Sequence, residues 1–182
     1  GFYVMMNKSL VGIEGTSDIG VENDFRRIGL LKDPTNFGTT TVASASTRRQ
    51  IFATIFSSVS GTFTADEEIN QATTGAVGKV VEFDSTNKIL YYYQTRFPDV
   101  GTDSNGNATA FSGANAITGQ TSSAAATPNT SNSTTTNGVV FSSGYSNPEL
   151  AFDSGDMIYV EERSPITRAS DQTENIKLII EF

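Results

Sequence analysis

Nowhere between Gly1 and Phe182 does an apolar face persist at helical spacing for more than about one turn, and no other feature narrows the available folds so far. The best helical candidate, Thr64-Ala65-Asp66-Glu67-Glu68-Ile69, opens on an N-cap-like threonine with acids behind it, yet no apolar stripe continues to Gly75. What recurs instead is a short run of β-branched or aromatic residues closed by Gly, Ser, Thr, Asn or Pro. Gly1 to Met6 is one such run, whereas Gly12, Gly15 and Gly20 mark the next stretch as loop or irregular strand. Phe25 to Leu31 is a second run, stopped by Pro34, which removes a ladder donor. Gln50 to Phe56 follows, with turn chemistry at Ser57-Ser58 and Ser60-Gly61. The clearest local signal is Lys79 to Asp84 and Lys88 to Gln94 around Ser85-Thr86-Asn87, which predicts a hairpin. Gly138 to Phe141, Asp156 to Glu161 and Ile176 to Phe182 add short strands, the last alternating Ile176, Leu178, Ile180 and Phe182 on one face. The pattern predicts a mostly β chain, an antiparallel sandwich or barrel-like fold of many short strands.

From about Asp99 to Asn137, Ser, Thr, Asn, Ala and Gly dominate and the apolar anchors shrink to Phe111 and Ile117. We therefore expect a β-rich domain part at 1–98, a low-complexity insertion or arm at 99–137, and C-terminal strands at 138–182 that complete the β domain. An internal repetition crosses the first boundary. Phe63 to Ile69 is followed by Thr73-Thr74-Gly75-Ala76, and Phe111 to Ile117 is followed by Thr121-Ser122-Ser123-Ala124 at identical spacing. It is either a duplicated β motif burying one Phe and one Ile per copy, or coincidence in a biased background.

The chain has no histidine and no cysteine, which removes imidazole or thiolate zinc sites, Cys nucleophiles, His-dependent triads and disulfides. Twelve Lys+Arg against twenty Asp+Glu, a net charge of −8, argue against nucleic acid and anionic membranes as partners. With 37% hydrophobic and 18% charged residues, the composition is that of a folded protein rather than a disordered one. No run approaches the roughly 20 apolar residues of a membrane helix, and no leader pattern stands at the start, so we expect a soluble, unexported chain. It opens at Gly1 rather than Met, as part of a longer chain or a processed product would.

Acid clusters at Asp66-Glu67-Glu68, Asp153 with Asp156, and Glu161-Glu162 are expected to be solvated surface charge. Neighbours in a strand point to opposite faces, so Glu161 and Glu162 do not form a facing catalytic pair. Asp103-Ser104-Asn105-Gly106-Asn107 resembles a calcium loop, but its glycine falls early and Ala114 stands where the bidentate acid belongs, so a polar turn is expected. Gly78-Lys79 lacks phosphate-loop spacing. Asn-x-Ser/Thr patterns such as those at Asn107, Asn129 and Asn132 arise freely in such sequence. Arg26-Arg27 and Arg48-Arg49 read as solvated strand-edge cations or as contacts to acids of a neighbouring chain. Tyr91-Tyr92-Tyr93 puts rings on both faces of a strand, marking a surface for protein or sugar. No catalytic residue, cofactor or metal is expected.

The stretch Ser154-Gly155-Asp156-Met157-Ile158-Tyr159-Val160-Glu161-Glu162-Arg163-Ser164-Pro165-Ile166, followed by Asp171-Gln172-Thr173-Glu174 before a terminal apolar strand, closely resembles the C-terminus of the baseplate wedge proteins of T-even-like contractile-tailed bacteriophages. Phe25-Arg26-Arg27-Ile28 with Pro34 resembles the family's preceding strand. The resemblance implies a non-enzymatic virion component of the tail baseplate, assembled in the host cytoplasm and rearranging on host attachment. Its implied partners are other wedge proteins and a second copy in a homodimer. Family members being longer, the chain resembles their C-terminal portion with Phe37 to Glu149 enlarged. The matched positions Phe25, Arg26, Ile28, Pro34, Gly155, Met157, Tyr159, Glu161, Arg163, Pro165, Asp171, Gln172 and Glu174 are expected to serve architecture and assembly. A rival reading, from the tyrosine run and the Ser/Thr/Asn-rich segment, is a carbohydrate- or receptor-binding β module of a phage tail.

Overall fold

The computed structural model describes residues 2–7, 26–44, 49–94, 101–151 and 154–163. Phe25, Arg48, Pro165, Asp171, Gln172, Glu174 and the expected strand Ile176 to Phe182 lie outside the described residues, as do Leu10 to Gly20. All regular structure among the described residues is β, as the sequence pattern predicts. In chain order the strands are β1 (Phe2–Asn7), β2 (Arg26–Lys32), β3 (Phe52–Ile55), β4 (Glu68–Gln71), β5 (Ala76–Asp84) and β6 (Ile89–Tyr93). They continue with β7 (Ile117–Gly119), β8 (Ala125–Ala126), β9 (Thr135–Thr136), β10 (Val139–Val140), β11 (Tyr145–Ser146) and β12 (Asp156–Arg163). The Thr64 to Ile69 stretch turns at Ala65-Asp66 and enters β4, with no helical turn. Its acids lack the apolar stripe that would hold a helix against a core.

The chain divides into two compact units, Gly1–Pro34 with Gly155–Phe182, and Thr35–Ser154. In the first unit β2 lies between β1 and β12 in an antiparallel sheet. Pairing with β12 runs from Lys32↔Asp156 to Arg26↔Arg163, with a register shift between Met157 and Tyr159.

In the second unit the strands follow the order β11-β3-β6-β5-β4-β7-β8, all antiparallel. Its centre is the hairpin read from sequence. Ala76, Gly78 and Val80 of β5 point inward while Lys79 and Val81 are exposed, the period of a half-buried strand. The connecting turn is fixed by Asp84, whose Oδ1 accepts the Thr86 and Asn87 amides, both at 2.9 Å. The Asn87 amide side chain, above all, then the backbone amides hold the Asp84 carboxyl below its ordinary pKa.

The inner face packs a core that includes Phe56, Phe63, Ile69, Leu90, Tyr92 and Ile117. Each such side chain contributes about 1.5–3 kcal/mol by burial. Tyr92 stacks on Phe52 with centroids 5.5 Å apart and meets the edge of Phe111 at 4.9 Å. The opposite face carries a second cluster of Ala53, Ile55, Ile89, Val139 and Phe141, against which Tyr91 packs. Bridges Phe56↔Pro128 and Ser60↔Ala125 bring the β8 end of the sheet back to the chain leaving β3, so the sheet curls toward a barrel. Residues of the Ser/Thr/Asn-rich stretch thus form β7, β8 and β9 and place Phe111 and Ile117 in the core.

The chain enters and leaves this unit side by side. Thr35 N donates to Ser154 Oγ at 2.9 Å, Ala151 N to the Thr35 carbonyl at 3.0 Å, and Asn36 bridges Leu150.

Candidate interaction surface

The two stretches singled out in the sequence lie more than a hundred positions apart, yet they are ladder neighbours. Met157 stands opposite Leu31, Tyr159 opposite Leu30, Glu161 opposite Ile28 and Arg163 opposite Arg26. Gly155 has φ +84°, and a Cβ there would come within 2.7 Å of the Lys32 carbonyl and 2.9 Å of the Pro34 nitrogen. Only glycine fits so close to a backbone at that dihedral. Pro34 is fully buried at the end of β2.

The apolar run of β12 is open to solvent: Met157, Ile158, Tyr159 and Val160 are each 49 to 51% exposed. The register shift places Ile158 opposite no residue of β2. Among the described residues no strand pairs with the other side of β12. Four consecutive half-exposed apolar side chains on an edge strand are costly in water and template addition of another chain. Sequence reading picked out Met157 and Tyr159 but passed over Ile158 and Val160. The signal was present, since a strand apolar at both parities is one meant to be covered on both faces.

The other features resolve into structural roles. Tyr92 is buried, 2% exposed, and burial pushes its phenol far above the ordinary tyrosine range. It is a core residue, not the surface ring the sugar-binding reading requires. Tyr91 and Tyr93 are half-buried. Arg49 is turned onto its own unit, its guanidinium donating to the Ile51 carbonyl, to Ser146 Oγ at 2.7 Å and to the Asn147 carbonyl at 2.9 Å. Asp103 Oδ1 accepts the Asn105 and Asn107 amides, each at 2.9 Å, a polar turn closed on its own backbone. Lys79 lies in the regular strand β5, where no loop exists to cradle a phosphate.

Asp153 lies outside the described residues; among Asp66, Glu67, Glu68 and Asp156 the expectation of surface charge fails at one position. Asp66 and Glu68 are exposed, but Glu67 is 5% exposed. Its Oε1 accepts Thr64 N at 2.7 Å and Ser122 Oγ at 2.8 Å, and its Oε2 accepts Ser122 N at 2.9 Å and Thr121 N at 3.1 Å. Burial by itself raises the pKa of this carboxyl, and the four hydrogen bonds outweigh it, leaving the group below its ordinary value. A carboxylate saturated by donors of its own chain is a structural clamp rather than a general base. Among the described residues no group of three or more His, Cys, Asp or Glu is placed to hold a metal ion. The depression lined by Ser58, Ser60, Ala116, Ala125, Ala126 and Thr127, about 240 Å³, contains no titratable side chain.

Compared with known protein families, the chain matches the model described as Bacteriophage T4, Gp8 over residues 91–182, just over half its length. No curated protein matches it, and no solved structure does. No helix among the described residues is long and apolar enough to cross a membrane.

Proposed function

The chain belongs to the bacteriophage T4 Gp8 family of baseplate wedge proteins, and from that premise we propose that it works by protein contact in tail assembly and in the baseplate rearrangement on host attachment. As a member of that family it is a structural protein of the tail baseplate. The observation that carries the reading is the exposed run Met157 to Val160 on the edge strand β12, inside the matched segment. Its occupant is another wedge protein, and the apolar side chains would be covered once the wedge is complete. Pairing of two copies and assembly in the host cytoplasm belong to the same reading. So do the architectural roles of Arg26, Ile28, Pro34, Gly155, Met157, Tyr159, Glu161 and Arg163.

The test is incorporation. An antibody to the chain, with gold detection on intact particles, is expected to label the tail base. The variant Ile158→Lys/Val160→Lys is expected to keep the far-ultraviolet dichroism of the wild type and to be lost from purified particles by at least tenfold. A folded variant recovered in particles at the wild-type ratio would refute the role given to β12. Gold on fibres would refute the wedge assignment itself.

A further inference from the structure

We infer that the segments Phe63 to Val80 and Phe111 to Pro128 are two copies of one structural unit, related by a pseudo-twofold axis, in which Glu67 replaces a glutamine that the second copy lacks. The register supports the equivalence at a constant offset. In the first copy Ile69 pairs with Gly78 and Asn70 with Val77; in the second Ile117 pairs with Ala126 and Thr118 with Ala125. Phe63 and Phe111 are both buried, and Ile69, Ile117, Ala76 and Ala124 are all fully so. The turns share two hydrogen bonds and a dihedral. Gly75 N donates to the Gln71 carbonyl as Ser123 N does to the Gly119 carbonyl. Ala76 N donates to Thr74 Oγ1 at 3.2 Å as Ala124 N does to Ser122 Oγ at 3.1 Å. Gly75 and Ser123 both have positive φ, 76° and 58°.

The two copies meet where β4 and β7 pair, and Asn70 stands directly opposite its own counterpart, Thr118. A strand residue paired with its own equivalent marks a twofold axis through that pair. Coincidence in a biased composition can reproduce spacing, but not paired register, turn dihedrals and hydroxyl bonds together.

Two of the differences between the copies, Gln71 against Gly119 and Glu67 against Asn115, together explain the buried carboxylate. In the first, Gln71 is fully buried; its Oε1 accepts Thr74 Oγ1 at 2.8 Å and Ser112 N at 2.9 Å, and its Nε2 donates to the Asn115 carbonyl at 2.7 Å. The counterpart of Gln71 is Gly119, that of Thr74 is Ser122, and that of Ser112 is Thr64. The same two donors, Ser122 Oγ and Thr64 N, meet Glu67 Oε1 at 2.8 and 2.7 Å. Glu67 is itself the counterpart of Asn115. Its carboxylate fills the space a side chain at 119 would take, since a Cβ on Gly119 would lie 2.6 Å from Oε2 and 2.7 Å from Oε1.

Each copy should therefore accept the other's solution, provided both positions change together. In the full chain, Gly119→Gln alone sets a side chain against the carboxylate, and Glu67→Asn alone leaves amides of both turns without an acceptor; each is expected to lower the urea midpoint. The double variant Glu67→Asn/Gly119→Gln is expected to recover at least half of the midpoint lost by the worse single variant, or to fold where a single variant does not. The reciprocal pair, Gln71→Gly with Asn115→Glu, applies the same test to the first copy. If both double variants are no more stable than the worse of their single variants, the two networks are not equivalent and the inference fails.

Discussion

Replacing Glu67 by glutamine keeps the shape of the clamp and removes its charge. The amide offers one acceptor oxygen where the carboxylate offers two, against the four donors Thr64 N, Thr121 N, Ser122 N and Ser122 Oγ. In the better orientation the oxygen keeps Thr121 N and Ser122 N, the Ser122 hydroxyl turns to accept from the new NH2 group, and Thr64 N faces a donor. One orphaned amide costs about 1–3 kcal/mol, and loss of charge assistance at the two remaining bonds brings the total to about 2–4 kcal/mol. With a urea slope of about 2 kcal/mol per molar, the midpoint should fall by about 1–2 M. Near-ultraviolet dichroism suits the measurement, because Tyr91, Tyr92, Tyr93 and Tyr145 report on Thr35–Ser154. The pH dependence gives an independent check. The folded state holds the Glu67 carboxyl below its unfolded pKa, so the unfolded chain binds the proton more readily and stability rises with pH. The clamp's contribution is complete above the unfolded value of about 4.3 and is lost as pH falls from there through the lowered folded pKa. Asp84 and Asp103, also lowered, are common to both proteins, so the gap between wild type and variant should narrow as the pH falls below the unfolded value. A midpoint shift under about 0.3 M, or a gap that widens on acidification, would refute the reasoning.

Truncation of the central tyrosine, Tyr92→Ala, removes a buried ring that stacks on Phe52 and meets Phe111 edge-on, and is expected to destabilise by about 3–5 kcal/mol, read as a loss of urea midpoint; an unchanged midpoint would contradict its core role. Ser123→Gly relieves a non-glycine residue at φ 58° and makes the second turn like the first, so it is expected to stabilise by about 0.5–1 kcal/mol in thermal melts. A lowered melting temperature would show that the Ser123 side chain does more than tolerate its dihedral.

The sequence revealed elements wherever side-chain period or turn chemistry was strong. The Lys79 to Gln94 hairpin was readable because β-rich runs flank a turn whose Asp84 supplies its own acceptors. Pro34 and Gly155 were readable as backbone punctuation, and they stand where β2 ends and β12 begins. Two-residue strands such as Thr135–Thr136 and Tyr145–Ser146 were not, since a strand that short has no period. The Ser/Thr/Asn-rich stretch read as an arm because its apolar anchors are sparse. Its backbone amides at Ser112, Thr121 and Ser122 donate to Gln71 and Glu67 and its Asn115 carbonyl accepts from Gln71, bonds that composition does not display and that help tie it to β4 and the residue before it. Glu67 looked like its neighbours Asp66 and Glu68. Only the missing side chain at Gly119, forty-eight positions past Gln71, distinguishes it.

The side-by-side ends of Thr35–Ser154 bear on how such chains change over descent. The ladder between β2 and β12 reaches Lys32↔Asp156, and the chain beyond is clasped by Thr35 with Ser154 and by Asn36 with Leu150. Residues gained or lost between these clasps leave the register of the flanking strands untouched, and the entropy of closing a longer excursion grows only logarithmically. Lineages can therefore enlarge, trim or replace parts of what lies between while the flanking strands keep one register.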